Sequence, residues 1–199
     1  MDELGLLDWK RRVFALYAAV RGSDDFESGW HRWRAGRDTL FRTHPQSPLP
    51  GPERQRFSGV RYFEYDPGFR VLGEVVRGDD QVRDVVASGG ETVRFRRFGT
   101  VRFQLGTEPE ELALYWLEGY GGGVFLPFAD ATSGTQTYGG GRYLLDTVKG
   151  ADLGEENGRL VLDFNFAYNP SCAYDPRWVC PLSPPENRLA IEVLAGERH

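Results

Sequence analysis

The chain of 199 residues contains two cysteines, three histidines and one methionine. It has no run of about 18 apolar residues, so no helical membrane span and no membrane partner are expected. Cys172 and Cys180 alone cannot build a structural zinc site. His31, His44 and His199 are scattered, which leaves few candidates for a histidine metal site or a Ser-His-Asp triad. No basic run is longer than Lys10-Arg11-Arg12, and the net charge is -5. Residues 1–100 carry 17 Arg/Lys against 15 Asp/Glu, and residues 101–199 carry 7 against 14. Neither half is a basic surface, so nucleic acid is not an expected partner. The start Met1-Asp2-Glu3 lacks a basic and apolar leader, so the expected compartment is the cytoplasm, with reduced thiols.

What is present points to a folded, turn-rich chain. A 40% hydrophobic and 27% charged composition excludes disorder, and the length fits a single domain, 1–199. Residues 3–21 read as a helix, with Leu6, Trp9, Val13, Leu16, Tyr17 and Val20 on one stripe and Gly22 ending it. Ser23 or Asp24 is placed to cap a second helix, stopped by His44-Pro45. Its apolar face carries Phe26, Trp30, Trp33, Leu40 and Phe41. Residues 1–44 are thus expected as a helical arm packed on the body, with Trp9, Phe14, Trp30 and Trp33 as packing surface. Residues 45–56 form a connector rich in proline.

From residue 57 the pattern becomes β. Candidate strands are 60–65, 69–77, 81–87, 91–98, 100–106, 111–118, 123–129, 142–148, 159–168 and 188–195. Gly89-Gly90 and Asn157-Gly158 are hairpin turns, since both tolerate positive φ. The expected fold is α+β: an N-terminal helical arm followed by a mainly antiparallel β-sandwich or barrel over 57–199.

Two segments carry the polar chemistry. In the first, Asp130 and Thr132 to Thr137 run into Tyr138, Gly139-Gly140-Gly141 and Arg142. The glycines admit a close backbone approach, but neither a Walker loop nor a dinucleotide fingerprint is present. In the second, Asp163 and Asn165 stand two residues apart, followed by Tyr168, Cys172, Cys180, Glu186 and Asn187. Read as a strand, it points Asp163 and Asn165 the same way. They then face solvent, line a cavity, or bind backbone groups and each other.

Three readings follow. In the first, Tyr138, Arg142, Asp163, Asn165, Tyr168 and Asn187 line a partly apolar pocket for a small anionic molecule. Arg142 holds a carboxylate or phosphate, Asn165 and Asn187 orient it, and the tyrosines close the cavity. In the second, Asp130 or Asp163 is the general base of a hydrolase-like enzyme, with Arg142 or an oxygen-liganded metal stabilising charge. In the third, both segments only hold difficult loops in a structural or interaction domain. No cofactor is indicated, and no metal-ligand spacing is found.

The motifs Thr132-Ser-Gly-x-x-Thr137-Tyr-Gly-Gly-Gly-Arg142-Tyr143 and Asp163-Phe-Asn165-x-Ala-Tyr168-Asn-Pro170-x-Cys172-Ala-Tyr174 occur together with Cys180-Pro181, Pro185-Glu186-Asn-Arg-Leu189 and Ala195-Gly196-Glu197. Trp30, Arg37, Ser47-Pro48-Leu49, Arg56-Phe57-x-Gly59 and Tyr62-Phe63 precede them. In this combination the chain resembles domain-of-unknown-function family 1684, a prokaryotic family, from about residue 9 to the end. The resemblance implies that the segments belong together. It implies no activity, substrate or cofactor.

Overall fold

The computed structural model describes residues 2–119 and 121–199. Helix α1 spans Glu3–Arg21 and α2 spans Phe26–Thr43. Asp2 caps α1 by accepting from the Gly5 N–H, and Gly22 closes it. The cap of α2 is Asp25, one residue beyond the expected pair, accepting from the Ser28 N–H at 3.0 Å. Within the connector a short helix, α3, spans Gly51–Arg56, with Pro52 in its first turn where no backbone donor is needed.

The body is α+β in class, and its β part is one antiparallel sheet of seven strands. These are β1 (Arg70–Val86), β2 (Thr92–Leu105), β3 (Glu108–Leu117), β4 (Gly123–Phe128), β5 (Arg142–Asp146), β6 (Glu155–Glu156) and β7 (Arg159–Asp163). Their order is β5-β4-β3-β2-β1-β7-β6. The sheet is not closed into a barrel. Isolated bridges of Tyr143 with Tyr168 and of Asp146 with Ala151 cover the β5 edge instead.

The ten expected strands become seven: two pairs merge, two candidates form no sheet strand, and the short β6 is added. Residues 69–77 and 81–87 are one strand with an irregularity between Arg77 and Gln81. Residues 91–98 and 100–106 are one strand with a shift between Arg97 and Gly99. Such bulges bend a strand without ending it. Gly99 sits where the strands crowd: a Cβ there would lie 2.5 Å from the Val76 carbonyl oxygen. Residues 60–65 and 188–195 form no sheet strand. Each makes only an isolated bridge, Tyr62 to Glu197 and Arg188 to Ala129. Residues 164–166 turn into a 3-10 helix, which ends β7 at Asp163.

Both sheet faces are apolar. On the inner face, Val101, Leu112, Leu114, Leu126 and Phe128 pack with Leu189, Val193 and Ala195 of the C-terminal segment. On the other face, Val85, Phe95, Tyr115, Phe125 and Tyr143 form a second cluster. The arm packs through a third, in which Tyr17, Trp30, Trp33 and Phe41 meet Tyr62 and Phe166. Trp30 and Trp33 are fully buried, whereas Phe14 is exposed. Among the described residues, no helix is long and apolar enough to cross a membrane.

Candidate functional site

The first motif is a buried polar knot. Asp130 lies two residues past the end of β4 and is fully buried, as are Thr132, Thr137 and Arg142. Asp130 accepts from the Thr132 hydroxyl at 2.8 Å, from the Val193 N–H at 2.8 Å and from the Arg142 guanidinium at 3.2 Å. Arg142 also donates to the carbonyls of Val193 at 3.1 Å and Glu197 at 3.3 Å, and to that of Ala195. Burial pulls the Arg142 guanidinium below its ordinary range, and the Asp130 carboxylate opposes that pull. Gly141 adopts φ +88°, and a Cβ there would lie 2.6 Å from the Phe128 carbonyl oxygen. The close approach expected of the glycine triplet is thus to β4, not to a ligand. The expectation that Arg142 meets an external anion is corrected for its two terminal nitrogens, whose bonds go to Asp130 and three carbonyls, and the buried Nε has no partner.

The second motif is also bonded mainly within the chain, with the buried Asn169 Oδ1 left without a partner. Asp163 Oδ1 accepts from the Asn165 N–H at 3.0 Å and from its amide at 2.8 Å. Asn165 then exchanges two bonds with the Asp66 backbone, at 3.0 and 2.8 Å, and its carbonyl accepts from the Trp30 indole at 2.8 Å. Of the three orientations open to Asp163 and Asn165, they take the one that binds backbone and each other. Asn187 donates to the carbonyls of Ala113 at 3.0 Å and Pro127 at 2.7 Å, and accepts from the Ala113 N–H at 2.9 Å. Its amide fills the gap where β3 and β4 diverge. Glu186 accepts from the Tyr115 hydroxyl at 2.8 Å.

The six expected pocket residues therefore do not surround one cavity. Tyr168 lines a cavity of about 70 Å³ between the helices and residues 168–174, with Trp9, Tyr17, Trp33 and Tyr174. Asp163 touches one of about 40 Å³ beside Phe26 and Arg70. Tyr138 is half-buried, with its hydroxyl 3.6 Å from Cys172 Sγ. Arg142, Asn165 and Asn187 line neither cavity. Asp130 and Asp163 share no cavity, which removes the geometric basis for a carboxylate pair. Among the described residues, no three His, Cys, Asp or Glu side chains converge as a metal site.

Sequence reasoning did not locate two features. One is the ion pair of Arg37 in α2 with Glu197, at 2.7 Å and buried. Glu197 also accepts from the Asn169 backbone and amide, both at 3.0 Å, and from the Tyr174 hydroxyl. Burial pushes the Glu197 carboxyl up, against the pull of Arg37. No local spacing announces a pair 160 residues apart.

The other is an open cavity of about 460 Å³ on the inner face of the sheet. Its walls are Val75 of β1, Phe98 of β2, Leu114 and Trp116 of β3, Val124 of β4, Leu145 of β5 and Leu160 of β7. Arg96, Trp116 and Val124 stand directly across three neighbouring strands. Arg77 and Arg96 supply positive charge, and Asp152 and Thr147 complete the polar lining. Arg96 pairs with Asp80 at 2.7 Å and Glu118 at 3.4 Å. Arg77 has no carboxylate partner among the described residues, and its guanidinium carbon lies 5.2 Å from the Phe98 ring centre. The volume lies within the range of small-molecule sites, about 300–1,000 Å³, and four others, of about 220, 170, 70 and 40 Å³, lie below it.

The family model described as protein of unknown function (DUF1684) matches residues 55–198, and the chain belongs to that family. The chain is also similar to an uncharacterized protein from Haloarcula marismortui with a solution NMR structure. Identity is 37%, over 88% of this chain and 95% of that one, with a TM-score of 0.63. No curated protein matches the chain.

Two outcomes are expected of the buried motif groups. Arg142→Met strands the Asp130 charge and should cost about 3–5 kcal/mol in urea unfolding. Adding Asp130→Asn should recover part of that loss, and purely additive losses would contradict the pairing. Asp163 gives a pH signature, because burial pushes its carboxyl from 3.8 up to about 6, against the bonds from Asn165. A raised folded value means the folded chain holds this proton more tightly than the unfolded chain. The resulting stability is fully present below pH 4 and is lost as pH rises through about 6. Two units correspond to about 3 kcal/mol. Asp163→Asn should therefore flatten the unfolding free energy between pH 4.5 and 7.5, and an unchanged slope would contradict the assignment.

Proposed function

We propose that this member of the DUF1684 family binds a small molecule with an apolar body and an anionic group in the cavity on the inner face of the sheet. The observation that carries the reading is an apolar-walled cavity of about 460 Å³ with Arg77 at its rim in no ion pair, Asp152 being the one carboxylate of the lining. Open sheets and barrel mouths favour such sites because several strands deliver side chains to one space. Trp116 and Phe98 offer flat apolar walls to a chain or ring. A carboxylate, sulfate or phosphate would take the charge-assisted bonds that Arg77 leaves unused. The anionic ligand thus remains the reading, but at β1–β3 in place of the two polar motifs. Those motifs contribute by holding the sheet's other end closed.

Decanoate is a suitable probe, with decanol as its uncharged control. Calorimetric titration should give saturable decanoate binding. Arg77→Gln should weaken it by about tenfold, the effect of one charge-assisted bond, while leaving decanol unaffected. Leu114→Trp, which fills the cavity, should abolish both. Decanoate binding indifferent to both substitutions, or no binding at all, would overturn the reading.

A further inference from the structure

The cavity on the inner face of the sheet carries one charge of each sign that no partner neutralises. Arg77 of β1 is the cation. Asp152, in the segment that joins β5 to β6, is the anion, and it is the one carboxylate of the lining. Among the described residues neither stands in an ion pair, with the other or with any third group. Asp152 is half-buried. Its Oδ1 accepts from the Gly154 N–H at 2.8 Å, which fixes the side chain. Arg21 reaches the same residue but donates to its carbonyl oxygen, not to its carboxylate. Asp152 Oδ2 accepts from no donor among the described residues.

The carboxylates of the other cavities are spent. Asp146, in the cavity on the opposite face, pairs with Lys149 at 3.0 Å. Asp163, beside Phe26 and Arg70, is bonded by the Asn165 amide at 2.8 Å. In the inner-face cavity Thr147 is also engaged, accepting from the Val124 N–H at 2.8 Å and donating to the Val124 carbonyl at 3.4 Å. The unfilled groups are therefore Arg77 and Asp152. A carboxylate between apolar walls repels an anion seated in the same space and attracts a cation, and both effects are stronger there than in open water. A simple anionic amphiphile meets one favourable and one unfavourable charge. A molecule with both signs meets two favourable ones.

We infer that the ligand of this cavity is a zwitterionic amphiphile: an anionic group for Arg77, an apolar body against Phe98, Leu114 and Trp116, and a primary ammonium for Asp152. The inference rests on the small-molecule reading above and adds the cationic group to it. The ammonium donates a charge-assisted bond to Asp152 Oδ2. Anions without it leave a like charge facing them, so the same carboxylate that attracts the zwitterion discriminates against its simpler relatives.

The test is calorimetric titration of the full chain at neutral pH with 8-aminooctanoate, 10-aminodecanoate and 12-aminododecanoate. Each is compared with the plain carboxylate of the same length, and the three lengths sample the span between the two charges. At the best length the amino acid should bind about tenfold tighter than its plain carboxylate, the effect of one charge-assisted bond. Asp152→Asn keeps an oxygen for the Gly154 N–H and should leave thermal unfolding unchanged. It should cancel the preference by weakening the amino acid and tightening the carboxylate. Arg77→Gln should weaken both. Plain carboxylates that bind while the amino acids bind more weakly at every length, or a preference that survives Asp152→Asn, would overturn the inference and leave the small-molecule reading standing. No binding by any of the six compounds would overturn both.

Discussion

The fold hangs on one buried ion pair, Arg142 with Asp130. Neither side chain is exposed to water. A charge in that position is costly unless it is paired and its remaining donors and acceptors are filled, and here all but Arg142 Nε of the guanidinium nitrogens are bonded. That demand dictates the path of the C-terminal segment. The carbonyls of Val193, Ala195 and Glu197 all bond to one guanidinium, and the Val193 N–H returns to Asp130. Alternate residues of an extended chain present carbonyls to the same side, which brings those of Val193 and Ala195 to Arg142, and the chain bends at Gly196, φ +78°, before Glu197. The segment's other side chains, Val193 and Ala195, then close the inner core of the sheet.

The same segment joins the body to the helices. Past Ala195 the chain reaches Glu197, which meets Arg37 of α2 in a second buried pair. Trp30 adds a third tie through its indole bond to the Asn165 carbonyl. Hairpin, C-terminal segment and arm are thus linked by groups that are costly to separate singly. Removing one partner leaves a charge in a dry interior, so these contacts act as registry pins as much as sources of stability. The inner face between Val75 and Leu160 lies outside this network. It is lined by apolar walls with Arg77, Arg96, Thr147 and Asp152, and the sheet leaves its larger space there.

How much of this is legible in the residues depends on range. Helix α1 is readable because its apolar stripe and Gly22 are local, and the Asn157-Gly158 hairpin because both residues take positive φ. The bulged strands are harder. Gly78 and Gly99 look like breakers, yet each lies within a strand that continues beyond it. Residues 188–195 read as a strand because they are extended and apolar, but their backbone partners are Asp130, Arg142 and Ala129 rather than a neighbouring strand. The site is hardest of all. An arginine that binds a ligand and one that holds a carbonyl carry the same letter, and only Arg142's neighbours separate the two. The cavity is invisible for a related reason: six strands each lend it one or two side chains. What local reading does detect is two-sided burial in β3, where Leu112 and Leu114 alternate with Ala113 and Tyr115.

The central division is between polar motifs that build the scaffold and an apolar sheet face that receives a ligand. The most direct measurement is a decanoate titration followed residue by residue through backbone amide NMR shifts. The account predicts saturable shifts at Val75, Arg77, Arg96, Phe98, Leu114, Trp116 and Leu160, with Arg142, Asp163, Asn165 and Asn187 unmoved. Shifts concentrated on Tyr138, Arg142 and residues 163–169, with the sheet face silent, would contradict it.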